Sequence, residues 1–277
     1  MKGAGKPGAK TGGTGGIITL TTDFGLADPW VRMMKGVILS INPSLSIVDV
    51  THEIPPQDVN KASFFMASIG RYFPEGTIHV CVVDPGVGSG REPVIIQTER
   101  CFYVGPNNGV FSTLDSRVKK SVVIKSRRFL TAEVSATFHG RDVFAPVAAR
   151  LASTPVEEFG PALKKLVKLD RPRPRRRKDG GVSGEIIYFD RFGNAFTNIK
   201  KEMLRTAGAA RAAVTLRNLE VRGVSPFYRA VPKGTPGAVI NGFGLLEIFS
   251  PDGNALEEFG LKTGDRVSVG RARKRPR

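Results

Sequence analysis

The amino-acid sequence predicts two domains, an amino-terminal α/β domain with a largely parallel sheet and a smaller carboxy-terminal β-barrel-like domain. Three observations predict this. From Ile17 onward, β-branched apolar runs alternate with segments whose apolar residues recur at helical spacing, as in a parallel sheet flanked by helices. Composition breaks at 171–181, where arginine, proline and glycine dominate. Beyond the break, short strand-like runs are separated by turn signals about every ten residues, the pattern of a small barrel or sandwich.

Taken in order, the elements justify that division. Residues 1–16 are rich in glycine and lysine, can bury nothing and are expected to be a disordered tail. The α/β domain covers 17–170. "IITLTTDF" is a strand ending in an acid, "WVRMMKGVILSI" a helix and "SIVDVTHEI" the next strand. "DVNKASFFMASIGRYF" is a second helix, followed by the strand "TIHVCVVD". "REPVIIQTERCFYVGPNNGVF" reads as two strands with a turn, and "DVFAPVAARLA" as another helix. Residues 171–181 read as a basic linker. The barrel-like domain, 182–270, contains the strand-like "SGEIIYFD", "AFTNIK", "AAVTLRNLEV", "GAVINGFGLLEIF" (its "NGFGLLEIF" at 241–249 an ordinary strand with a glycine bulge) and "DRVSVG". Residues 271–277 read as a basic tail.

Composition narrows the function. A chain of 277 residues with 40% hydrophobic and 24% charged residues has material for a real core. No apolar run approaches the roughly 20 residues that span a bilayer, and the amino terminus lacks the apolar centre of a secretory signal. Cys81 and Cys101 lie in strand-like runs without CxxC spacing, so neither a disulfide nor a zinc site is expected and a cytoplasmic setting follows. The net charge of +17 is concentrated in the amino-terminal tail, "RPRPRRRK" at 171–178 and "RARKRPR" at 271–277. Such blocks read as solvated segments, and nucleic acid is not an expected partner.

Ligands of open α/β sheets sit beyond the carboxyl ends of the strands, and Asp23 and Asp84 fall at two such ends. The glycine-rich "DPGVGSGREP" that follows is no phosphate loop. It lacks the lysine and hydroxyl ending of a Walker loop, and its glycines are spaced 86, 88, 90 before a strand rather than a helix. What remains is a tight turn able to return Arg91 to Asp84, for structure or for chemistry. Of the three histidines, His79 sits in an apolar strand, and His52 is read as structural over functional. His139 stands at a loop-to-helix junction beside Gly140, with Asp142 in the first turn, well placed for proton exchange near neutrality. In "DRFGNAFTNI", Asn194 has the donor and acceptor of an adenine complement, and Phe192 and Phe196 are able to stack on a flat ring; a hairpin with core aromatics is the plainer alternative.

Taken together, "TTDFGLADPW", "VVDPGVGSGR", "YVGPNNGV", "TFHGRDVFAP", "DRFGNAFTNI" and "NGFGLLEI" resemble, in the same order, the S-adenosylmethionine (SAM) hydroxide adenosyltransferases, hydrolases related to the fluorinating and chlorinating enzymes. The resemblance spans about Ile17 to Gly270. It implies hydrolysis of SAM to adenosine and L-methionine, with SAM as substrate, no cofactor and no metal. It also implies a homotrimer whose active sites lie between the amino-terminal domain of one subunit and the carboxy-terminal domain of the next.

By the same resemblance, Asp84, Arg91 and His139 form the catalytic set. Asp84 and His139 orient and deprotonate the water, while Arg91 fixes Asp84 and stabilises hydroxide character. Asp23 holds the ribose hydroxyls, and Asp28 lies near the methionine amino group. Asp190, Phe192, Asn194 and Phe196 contact methionine and adenine, and Trp30, Tyr228, Asn241, Asn254 and Ala255 complete the substrate-binding set. Three departures stand out. Gly140 and His139 replace a serine and an aromatic residue of the halogenating members, which disfavours a halogenase. Trp30 replaces a tyrosine, and Gly242 a serine. A SAM- or adenosine-binding protein without turnover is the alternative that keeps the fold.

Overall fold

The computed structural model describes residues 16–114, 118–204 and 212–271. The expected tails, up to residue 15 and beyond residue 271, lie outside them. The chain forms two compact units, one ending at Leu169 and the other beginning at Asp170.

The first unit is a layered α/β structure. Strands β1 (Ile17–Thr22), β2 (Ser46–Thr51), β3 (Ile78–Val82), β4 (Pro93–Thr98), β5 (Phe102–Pro106) and β6 (Val118–Val123) form one sheet in the order β2-β1-β3-β5-β4-β6. Its first four strands in that order run parallel; β4 is antiparallel to both β5 and β6. The exception has a local cause. Only three residues separate β4 from β5, too few for a crossover, and Thr98 closes the turn by bonding both the amide and the carbonyl of Cys101. Strand β6 is not foreshadowed by an apolar run, because its lysines face out from the sheet edge.

Period-2 alternation divides the core between the two faces. Ile78, Val80 and Val82 of β3 join a cluster with Val31, Met34 and Ile38 of α1 (Trp30–Ile41) and with α3 (Ala145–Leu151). Cys81 and Val83 point the other way, to Ala62 and Met66 of α2 (Val59–Ile69) and to Phe111. Asp58 caps α2 by accepting from the Lys61 amide at 2.8 Å. Helices thus cover both faces, and the carboxyl ends of β1 and β3 are left open between them.

The second unit is an antiparallel, nearly closed barrel. Its strands are β7 (Arg175–Arg176), β8 (Val182–Phe189), β9 (Ala195–Lys200), β10 (Ala212–Leu216), β11 (Leu219–Arg222), β12 (Gly237–Ile240), β13 (Leu245–Phe249) and β14 (Arg266–Arg271). They pair in the order β11-β10-β14-β8-β9-β13-β12, with β7 on β8, and the end strands β11 and β12 come into contact. Two runs expected as single strands are hairpins. Arg217 adopts a positive φ of 49° in the turn between β10 and β11, and Gly244 one of 76° between β12 and β13. The arginine-rich stretch at 171–178 contributes β7 to this barrel, and Asn198 donates to the carbonyl of Pro172 at 2.9 Å. Val182, Ile186, Val214, Leu246, Ile248 and Val267 are among the residues that fill the barrel.

Candidate functional site

Parallel pairing sets the site. Thr22 lies opposite Val82 on β1 and β3, so Asp23 and Asp84, just beyond them, emerge at the same sheet edge. Asp23 Oδ2 accepts from the Gln57 amide at 2.9 Å. Burial raises the Asp23 pKa above the ordinary carboxylate value and the nearby charge of Asp84 adds to the rise, while the Gln57 amide opposes it.

After Asp84 the chain turns twice, with Val87 donating to the Asp84 carbonyl and Ser89 to that of Gly86. Gly88 carries the turn at φ 75°. Arg91 is thereby returned to Asp84. Its Nε donates to Oδ1 at 3.0 Å and its Nη2 to Oδ2, with side chains 8% and 4% exposed. The guanidinium carbon lies 5.4 Å from the centre of the Phe144 ring. Nη1 is buried and has no hydrogen-bond partner among the described residues.

His139 arrives from a third segment. Its Nδ1 lies 2.7 Å from Arg91 Nη2. A guanidinium only donates, so Nδ1 accepts and the ring proton resides on Nε2. Burial lowers the His139 pKa, and the Arg91 charge lowers it further; Asp84 and Asp142 offset part of this. The loop before His139 is held by Asp142, which accepts from the Ser135 amide at 2.9 Å and from Arg141. Residues 140–144 form a π-helical turn leading into α3. Pro146 has no N–H for the Asp142 carbonyl, which accepts instead from the Thr131 amide at 3.1 Å.

Asp23, Asp84 and His139 face a cavity of about 360 Å³ lined also by Phe24, Gln57 and Phe138 among others, within the roughly 300–1,000 Å³ common for small-molecule sites; Arg91, bonded to Asp84 and His139, is not among the lining residues. Trp30 packs edge-on against the cavity residue Phe138, 5.4 Å between ring centres. Asp28 does not join the cavity wall; it is exposed, and its carbonyl accepts from Arg32 at 3.2 Å. Gly140 is buried in the wall, where an added Cβ would stand 3.2 Å from Met34 Sδ and 3.3 Å from the Phe138 ring.

The remaining expected substrate residues lie in the second unit. Asp190 organises a turn, accepting from the amides of Phe192 and Asn194 and from the Asn194 side chain at 3.1 Å. One Asn194 amide hydrogen is therefore already used within the chain. Gly193 docks this turn on Asn254, the N-cap residue of α4 (Ala255–Glu258), and its carbonyl accepts from the Leu256 amide at 3.0 Å. Ala255 is fully buried and Phe192 is 73% exposed. Phe196 on β9 pairs with Glu247 on β13, and Tyr228 donates to Glu247 at 2.9 Å. Asn241 closes the β12–β13 turn by accepting from the amides of Phe243 and Leu245, and a Cβ at Gly242 would meet open space.

Sequence reasoning did not single out Gln57 or Glu247, and it placed Asp142 in the first helical turn without foreseeing that it holds the His139 loop. Gln57 contributes its backbone, which carries no side-chain signal. Glu247 did leave a signal, an acid in the middle of the apolar "LLEIF". Among the described residues, no group of three His, Cys, Asp or Glu is placed to hold a metal ion, and no helix is long and apolar enough to cross a membrane. Cys81 and Cys101 are buried free thiols.

Comparison with known proteins sets this geometry in a family. Residues 18–160 match the SAM hydroxide adenosyltransferase N-terminal domain and residues 184–268 the corresponding C-terminal domain. The chain belongs to this family. It is 38% identical over 258 residues to an (R)-S-adenosyl-L-methionine hydrolase of Thermus thermophilus, covering 90% of this chain and 97% of the relative. A fluorinase of an Actinoplanes species is more distant, 29% identical over 92% of this chain and 98% of its own. The crystal structure of an uncharacterized conserved protein from Thermotoga maritima superposes with a TM-score of 0.86 at 33% identity, covering 92% of this chain and all of that one.

Proposed function

We propose that the protein hydrolyses SAM to adenosine and L-methionine by attack of water on the ribose 5′ carbon. The reaction balances without a cofactor. Water's oxygen bonds to carbon, the carbon–sulfur bond breaks toward sulfur, and one proton is released. The leaving group is a neutral thioether, so no acid has to protonate it and the demand falls on the nucleophile. The observation that carries the reading is the Asp84–Arg91–His139 junction at the cavity edge, in a chain that belongs to the SAM hydroxide adenosyltransferase family.

In this reading Arg91 fixes Asp84, and its positive charge stabilises the hydroxide character of the attacking oxygen. Asp84 accepts the proton. His139, whose Nδ1 is occupied by Arg91, orients the water through Nε2–H and takes up a proton only after releasing Arg91. Hydroxide and sulfonium neutralise each other on the way to the transition state, so a site that strips water from both speeds the step. The tight setting of Gly140 supports water over halide, since the serine of the halogenating enzymes would press on Met34 and Phe138.

The substrate's methionine and adenine ends are assigned to Asp190, Asn194, Phe196, Tyr228 and their neighbours in the second unit, and its ribose to Asp23. The site is then completed in a homotrimer, between the first unit of one subunit and the second unit of the next, in the cytoplasm. We further assign the R configuration at sulfur, after the name carried by the Thermus thermophilus relative. Turnover in water enriched in heavy oxygen tests the chemistry. The label is expected in the 5′ hydroxyl of adenosine, and unlabelled adenosine or no adenosine at all would discard it. Running the two sulfonium epimers separately tests the configuration.

A further inference from the structure

Strand β13 is buried from Leu245 to Phe249, and Glu247 sits at its centre, 1% exposed. Its strand partners are Val239 on β12 and Phe196 on β9. The fold alone asks for an aliphatic residue there, because a buried carboxyl loses its hydration. Oε1 accepts from the Tyr228 hydroxyl at 2.9 Å, while Oε2 is buried without a hydrogen-bond partner among the described residues. Burial raises the Glu247 pKa, and the charge of Asp190 raises it further; the Tyr228 and Asn241 side chains pull the other way. A group this costly is kept for what it holds.

What it holds is a ring. Tyr228 turns its hydroxyl inward to Glu247, and its ring meets Phe249 edge-on at 4.9 Å, yet the residue remains 45% exposed. Both contacts fix the ring plane while part of the ring stays open. Phe196, beside Glu247 across the strand pair, puts a second aromatic side chain on the same side of the sheet. A ring oriented before its ligand arrives loses little freedom on stacking.

We propose that Glu247 is a positioning residue, holding the Tyr228 ring as a stacking platform for the purine of the substrate. This rests on the SAM reading. The experiment measures kcat and KM for SAM in Glu247→Ala, Glu247→Gln, Tyr228→Phe and the Glu247→Ala/Tyr228→Phe double variant, with thermal melting to verify folding. Glu247→Ala raises KM about tenfold, the scale of one base–aromatic stack, with kcat within about threefold. Glu247→Gln, whose amide oxygen still accepts from the hydroxyl, recovers most of that affinity. Tyr228→Phe frees the same ring, and the double variant is no worse than Glu247→Ala.

An unaltered KM in a folded Glu247→Ala protein overturns the assignment, as do single-variant effects that multiply in the double. If Glu247→Ala fails to fold, Tyr228→Phe decides: unchanged KM overturns the proposal. Absence of adenosine from the wild type overturns the SAM reading and this assignment together, whereas wild-type turnover with insensitive variants overturns this assignment alone.

Discussion

The Nη2 of Arg91 lies 2.7 Å from the Nδ1 of His139, a contact that forms only to a neutral imidazole. A protonated ring would turn a hydrogen toward the guanidinium and break the junction that also holds Asp84. The His139 pKa lies below the ordinary histidine value, with burial the larger cause and Arg91 the next. The neutral ring therefore persists below pH 6.5, and kcat/KM is expected to stay level there before falling at lower pH. A pH–rate profile checks this, together with NMR titration of the ring. An acid limb centred above 6.5 contradicts it. Arg91→Ala is expected to move the His139 titration upward, because a cation and its desolvating side chain are removed.

Replacing Arg91 by lysine keeps the charge and loses the fork. A lysine cannot serve both Asp84 oxygens and His139 from one rigid plane. Arg91→Lys is expected to lower kcat about 10²–10³-fold, the scale of a lost electrostatic stabiliser, with KM changed less than tenfold. Asp84→Asn and His139→Ala are each expected to lower kcat by about 10²–10⁴. Steady-state kinetics with SAM decide. Near-normal kcat in any of the three removes that residue from the chemistry.

Strand ends and turn chemistry carried much of this site into the sequence. Asp23 and Asp84 are legible because an acid closing a β-branched run in an α/β pattern points to the carboxyl edge of a sheet. Arg91 is legible because the glycines around it fit no phosphate loop and leave only a return turn. His139 is the residue whose convergence spacing could not establish, since 48 positions separate it from Arg91 and only the sheet order brings them together. The hairpins at Arg217 and Asn241–Gly244 were hidden for a different reason. Both turns interrupt continuous apolar runs, and periodicity does not register a reversal of two to four residues. Strand β6 escaped because an edge strand with outward lysines has no apolar signature until its last residues.

Gly88 joins the Arg91 loop to the His139 loop. A Cβ there would stand 2.3 Å from the carbonyl oxygen of Ala136, three residues before His139, and the backbone sits at φ 75°. Gly88→Ala must push the two loops apart or strain the turn, at about 1–3 kcal/mol. The expected outcome is a lower melting temperature together with a fall in kcat larger than the rise in KM. Lost stability with kcat intact would mean that the two loops do not depend on each other for chemistry.

His79 makes the stability of the first unit depend on pH. It is fully buried on β3 between Phe73 and Tyr103, with ring centres 5.4 and 5.0 Å away, and Thr19 Oγ1 lies 2.8 Å from its Nδ1. Nε2 is buried without a hydrogen-bond partner among the described residues, and burial pushes the pKa down to about 4. The unfolded chain takes up its proton near pH 6.5, the folded chain only near 4, so stability present at pH 7 is lost progressively as the pH falls through that window. The loss is roughly 2 kcal/mol by pH 5, at 1.36 kcal/mol per pH unit. Urea unfolding at pH 7 and pH 5 measures it. His79→Gln keeps polar atoms for Thr19 and cannot titrate, so its decline over the same interval is expected to be smaller by about that amount. Equal declines in the two proteins would assign the acid sensitivity to other groups.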